Sequence, residues 1–120
     1  MKISELVEKA HKNAVEKGFW EHHQAVSEDI EMFENTDFEN LAKQDYTNSI
    51  STMLMLIVSE LSEALEALRK NNKDNFREEL ADVAIRLGDL CGGLDIDLEK
   101  EIIVKMNKNA KRPYKHGKEF

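Results

Sequence analysis

Proline and glycine are scarce in this chain, with one Pro and five Gly among 120 residues. So few breakers favour helix throughout, and no stretch alternates apolar and polar residues in the rhythm of a strand. Cysteine is nearly absent. Cys91 has no internal partner, so no disulfide braces the fold, which fits a reducing compartment. Long apolar runs are missing too. Nothing approaches 18 residues and no apolar segment marks the amino terminus, so neither a membrane span nor a signal peptide is expected, and the expected location is cytoplasmic. Basic charge is in deficit: 17 Lys and Arg against 24 Asp and Glu give a net charge of −7. A nucleic-acid polymer as partner needs the opposite balance.

What is present is 41% apolar and 34% charged residues in a length suited to one domain with a real core. Residues 2–17 predict an amphipathic helix ended by Gly18. Residues 19–33 predict a second helix, and 35–45 a polar loop with one helical turn. The strongest helix runs over about 47–70. Asp74 is the expected N-cap of the next, over about 75–91, weakened by Gly88 and stopped by Gly92 and Gly93. Asp95 or Asp97 caps a last helix to about Ala110, and Pro113 closes regular structure. The expected fold is all-α, an antiparallel bundle of four to five helices completed by homo-oligomerisation. It forms a single domain over 1–120, with its motifs within 47–112 and a basic tail at 113–120.

Two acid pairs dominate the central helices: Glu60 with Glu63, and Glu79 with Asp82. Three residues of helix put both members of a pair on one face, about one turn apart. Acid-x-x-acid spacing also occurs at Glu5/Glu8 and Glu28/Glu31, where it reads as a solvated face. The central pairs differ in context. On a wheel of about 100° per residue, Met53, Leu56, Ala64 and Ala67 lie within roughly 40° of Glu60. Glu79 is likewise flanked by Phe76, Val83 and Leu90, with Asp82 on the other side beside Arg86. A turn through residues 71–74 would fold the two helices together and gather four carboxylates at a core margin. Such a cluster requires protons or a cation, and the reading is a divalent metal site.

Charge reverses near the carboxyl end. Between residues 105 and 118 lie six Lys or Arg and no acid, and Lys105, Asn109 and Arg112 share one face at i, i+4 and i+7. For Lys108, Lys111 and Lys118 this reads as charge suited to a helix C-terminus and a solubilising tail. For the shared face it reads as a phosphate clamp opposite the metal.

The ordered pair Glu60-Leu-Ser-Glu63 and Glu79-Leu-Ala-Asp82 resembles the E-x-x-E…E-x-x-D signature of the MazG-like all-α nucleoside triphosphate pyrophosphatases. That superfamily also holds dimeric dUTPases, dCTP pyrophosphatases and phosphoribosyl-ATP pyrophosphohydrolases. Gly93-Leu-Asp-Ile-Asp97, with Lys105, Asn109 and Arg112-Pro113, resembles the downstream part of the pattern, so the likeness covers roughly residues 50–118. Gly18-Phe-Trp20 is similar to a stretch of small members, whereas 21–49 has no assignable counterpart. The resemblance implies hydrolysis of a nucleoside triphosphate between its α- and β-phosphates, giving monophosphate and pyrophosphate. It implies Mg²⁺, with Mn²⁺ as an alternative, on Glu60, Glu63, Glu79 and Asp82. It implies Glu60 or Glu63 as general base, and Lys105, Asn109 and Arg112 as substrate contacts. Trp20 is a candidate to stack on the base, the alternative being a core position. His22, His23 and His116 carry no catalytic pattern and read as solvent-facing.

A Nudix hydrolase is excluded, since Arg77-Glu-Glu-Leu-Ala-Asp82 lacks that family's last acid and upstream Gly. A ferritin-like di-iron bundle is excluded because only Glu8/His11 has the spacing it requires. The remaining rival is a non-catalytic helical module for oligomerisation or nucleotide binding. Met53, Met55, Ile85 and Leu94 are expected to be left uncovered by the hairpins, so a homodimer or homotetramer is expected, with the site near a subunit interface.

Overall fold

The computed structural model describes residues 1–120 and contains five α-helices and no strand. They are α1 (Ile3–Glu16), α2 (Glu21–Met32), α3 (Glu39–Arg69), α4 (Lys73–Gly93) and α5 (Leu98–Ala110). The 31 residues of α3 account for most of the 51 Å long axis, since each helical residue rises about 1.5 Å. A short turn folds α4 back along α3. Asn71 supplies the left-handed residue of that turn (φ 55°). The Asn72 side chain then accepts a hydrogen bond from the Asn75 amide at 3.1 Å. Asn72, not the expected Asp74, is therefore the N-cap; Asp74 sits inside the first turn and pairs with Arg77. At the last helix the cap is Asp97, which accepts from the Lys100 amide, while Asp95 forms the preceding left-handed turn.

Helix α1 lies along α4, α2 lies along α3, and α5 packs on α1. The α1–α4 approach depends on glycine. A Cβ on Gly92 would stand 2.6 Å from His11 Cβ, and one on Gly93 only 2.0 Å from the Trp20 ring. These two residues do not stop α4, as expected; they form its last turn and admit α1 and Trp20. Gly18 (φ 84°) does end α1, and Phe19 and Trp20 make the turn into α2.

The expected loop over 35–45, with its single helical turn, is a further correction, because α3 already begins at Glu39. Ala42, Tyr46 and Ser49 follow helical spacing and face α2, where Ser49 meets His23. Small and polar residues form this face, so its periodicity is weak in apolar terms. His23 is accordingly buried against Tyr46 and Trp20, not solvent-facing. Beyond Pro113 a further tight turn, Tyr114–Gly117, places Lys115 and His116 in the left-handed region.

The core is centred on Ala14, Trp20 and Leu90, with Ile50, Met53, Ile57 and Leu94 packed on it. Met53 and Leu94 are thus partly buried, more than expected, whereas Met55 and Ile85 are exposed. Burying one indole contributes about 4–6 kcal/mol by area, so Trp20 is the chief anchor of this small core.

Candidate metal centre and adjoining cavity

The α3–α4 hairpin brings the acid pairs together. Glu60, Glu79 and Asp82 each offer an oxygen within 4.8 Å of the other two. Glu63 stands one turn along α3, exposed, and like Glu60 is near enough to Glu79 to raise its proton affinity. The cluster is graded in depth: Glu60 is buried, Glu79 half-buried and Asp82 exposed.

This grading sets the charge of each group. Arg86 donates from Nε to Glu60 Oε1 at 2.5 Å, and chiefly for that reason Glu60 is held below the usual carboxylate range. Burial, then the nearby Glu60 and Glu63, push Glu79 up from 4.5 to about 7. A proton on Glu79 and the guanidinium of Arg86 therefore moderate the cluster's charge.

The donor set suits a hard divalent cation. Oxygen ligands alone match Mg²⁺, whose bonds of about 2.1 Å place opposite ligands about 4.2 Å apart. The mutual spacing within 4.8 Å requires little closure to meet that geometry. Glu79 Oε2, moreover, is buried with no hydrogen-bond partner, and a cation would satisfy it.

Two hollows flank the carboxylates. A cavity of about 370 Å³ is bordered by Glu60, Asp82 and Arg86 at one side and by Phe19, Trp20 and Asp89 elsewhere. A smaller groove of about 190 Å³ takes in Glu63 and Glu79 near the α3–α4 turn. Trp20 is buried, and its Nε1–H donates to Asp89 Oδ1 at 2.7 Å. His11, protonated on Nδ1, donates to the same oxygen at 3.0 Å. The imidazoles of His11 and His23 each meet the indole nearly edge-on. Trp20 is thus both a core residue and a wall of the cavity.

Within this chain the predicted basic contacts are not brought to the acids. Lys105, Asn109 and Arg112 line neither hollow, and the helix that carries them packs on α1. Asn109 Oδ1 is buried without a partner, whereas Lys105 and Arg112 are exposed. Two residues absent from the expected site belong to its lining: Arg86 and Asp89. Their signal was present, because Asp82, Arg86 and Asp89 fall at i, i+4 and i+7 on one face of α4.

A family model, the MazG nucleotide pyrophosphohydrolase domain, matches residues 48–116, more than half of the chain. The chain belongs to this family. All four carboxylates, Arg86, Asp89 and the basic face of α5 lie inside the MazG match, while Trp20 and the rest of α1 and α2 lie before it. No curated protein and no solved structure matched the chain. No helix is long and apolar enough to cross a membrane.

Proposed function

We propose that this MazG-family chain hydrolyses a (deoxy)nucleoside triphosphate between its α- and β-phosphates, releasing monophosphate and pyrophosphate, in a nucleotide-pool house-cleaning role. The observation that carries this reading is the convergence of Glu60, Glu79 and Asp82 beside an aromatic-walled cavity, with Glu79 Oε2 buried and unpaired. Glu60, Glu79 and Asp82 would hold Mg²⁺, or Mn²⁺ in its place; Glu63, which lies outside that group of three, is assigned as a fourth ligand. When bound, the ion supplies charge neutralisation to the polyphosphate and polarises the phosphoryl group under attack.

The protein's own groups divide the remaining work. A general base needs a free carboxylate oxygen to accept the proton. Arg86 occupies Glu60 Oε1 and stabilises that anion, so of the two candidates the role is assigned to Glu63, which is exposed and carries no ion pair. Trp20, fixed by Asp89 and two imidazoles, offers a rigid surface for the base. Lys105, Asn109 and Arg112 are assigned to substrate phosphate or sugar. Because α5 packs on α1, a second copy of the chain is their proposed route to the acid cluster, which makes the homodimer or homotetramer part of the site.

The test is incubation with a set of canonical and modified triphosphates, with and without Mg²⁺, followed by separation of products. Monophosphate and pyrophosphate, formed only with the divalent ion, are expected. Orthophosphate release would reassign the broken bond. Glu60→Gln keeps shape but removes charge, so turnover should vanish while the helical circular-dichroism signal persists.

A further inference from the structure

The cavity beside the acids has a polar edge that none of the assigned roles uses. Asp89 reaches it from α4 and Asn13 from α1, among walls that are otherwise largely apolar. Asp89 is committed on one oxygen only: Oδ1 accepts from both Trp20 and His11, and Oδ2 has no hydrogen-bond partner. The Asn13 side chain makes no hydrogen bond. The carboxylate cannot rotate freely to hide its second oxygen, because two donors from α1 and the α1–α2 turn hold the first. Asp89 therefore brings one unpartnered carboxylate oxygen to the cavity lining, and Asn13 supplies an amide that can donate or accept.

We infer that this edge selects the base, and that the cavity takes nucleotides whose base carries an exocyclic amino group next to a ring-nitrogen acceptor, as in cytosine and adenine. The inference rests on the proposed nucleotide site and names its substrate class. An amino N–H donates to Asp89 Oδ2 while the neighbouring ring nitrogen accepts from the Asn13 amide. In uracil and hypoxanthine a carbonyl oxygen stands where the amino group was, so two acceptors face each other. The ring nitrogen there carries a hydrogen as well, which removes the acceptor that Asn13 would address. A site built around oriented polar groups rejects the mismatched partner strongly, because its own groups are left unpaired.

The experiment is equilibrium binding of monophosphates in the presence of Mg²⁺, followed by the fluorescence of Trp20, the only tryptophan of the chain and a wall of the cavity. The pairs CMP/UMP and AMP/IMP differ at the position in question and little elsewhere. Binding at least about tenfold tighter for the amino member of each pair is expected, the size of one charge-assisted hydrogen bond exchanged for a mismatch. Asp89→Asn keeps Oδ1 for Trp20 and His11 but replaces Oδ2 by a donor. It should collapse or invert the preference while leaving the melting temperature near that of the parent. Asn13→Asp, on the exposed side of α1, should weaken CMP and AMP and spare UMP and IMP. Equal affinities within each pair, an unchanged ratio in Asp89→Asn, or no binding at millimolar monophosphate would overturn the inference. None of these readouts involves cleavage. Amino-selective binding without hydrolysis of any triphosphate would instead leave the base edge standing and remove the pyrophosphohydrolase reading.

Discussion

Arg86 and Glu60 face each other across the α3–α4 hairpin, Nε to Oε1 at 2.5 Å, so a built-in cation rests on the most buried carboxylate of the candidate metal centre. The pair holds the hairpin together when no metal is bound, and it competes with any ion for the same oxygen. Replacing Arg86 by Gln removes the charge and leaves Glu60 without its partner. Metal-free stability should fall by about 1–2 kcal/mol, the lower part of the range for breaking a shielded ion pair, because the arginine is partly solvated. Mg²⁺ should then bind more tightly than to the parent. Urea unfolding with a chelator present, and a Mg²⁺ titration of each protein, measure the two effects. A variant as stable as the parent that also binds Mg²⁺ no better would show that the contact does neither job.

Glu79 makes the metal-free protein sensitive to pH in a defined direction. Its folded-state value of about 7 lies above its ordinary 4.5, so between those values the folded chain binds more protons than the unfolded one. Its contribution to stability is therefore complete below 4.5 and is lost as pH rises through 7. Glu60 acts in the opposite sense: its stabilisation is present above the ordinary carboxylate range and is lost at more acid pH. In chelator, thermal stability should decline from pH 5 to pH 8, and Glu79→Gln should flatten that decline. Mg²⁺ displaces the Glu79 proton, so its affinity should increase over the same interval. A parent melting curve that is level between pH 5 and 8 would contradict the cause assigned here.

The acid cluster was legible in the sequence because its two acid pairs carry their own context. Helical spacing aligns each pair, and the apolar neighbours of Glu60 and Glu79 mark a core margin. The partner of Glu60 was harder to see. Arg86 lies near Asp82 on the α4 wheel, but its pairing depends on how two helices are rotated against each other. The start of α3 was obscured because Ala42 and Ser49 bury little apolar area. The burial of His23 depends on Ser49, 26 residues away, and on two aromatic rings. Such pairings across helices are set by packing, which local periodicity does not contain.

Gly93 illustrates the same point and gives a third prediction. It ended a helix on sequence grounds, yet its role in the fold is to leave room for the Trp20 ring. A Cβ placed there would stand 2.0 Å from the indole, far inside van der Waals contact. Gly93→Ala must push the tryptophan or the end of α4 outward, although alanine is the better helix former by about 1 kcal/mol. Overpacking of this kind costs about 1–3 kcal/mol, so net destabilisation is expected. Urea unfolding followed by Trp20 fluorescence reads both the stability and the displaced indole. A gain in stability would mean that the ring moves aside freely, and that the wall it forms in the cavity is not rigid.

Helix α3 carries the last prediction. Leu54, Val58, Leu61, Leu65 and Leu68 are all about half exposed and recur at intervals of four, three, four and three residues. That repeat aligns them in one seam, the pattern by which helices pair lengthwise. A chain that left this seam in water would expose a continuous apolar stripe along its longest helix. Pairing with a second copy would cover it and would provide the partner through which the basic face of α5 is proposed to reach the acids. Leu65→Glu lies outside the carboxylate cluster and in an exposed position, so the isolated fold should tolerate it within about 0.5 kcal/mol. It should nevertheless convert the assembly to monomer at micromolar concentration, read by sedimentation. Triphosphate cleavage should fall with it, by at least about tenfold, if phosphate contacts come from the partner. A parent protein that sediments as a monomer at full activity would remove both the seam pairing and the shared site.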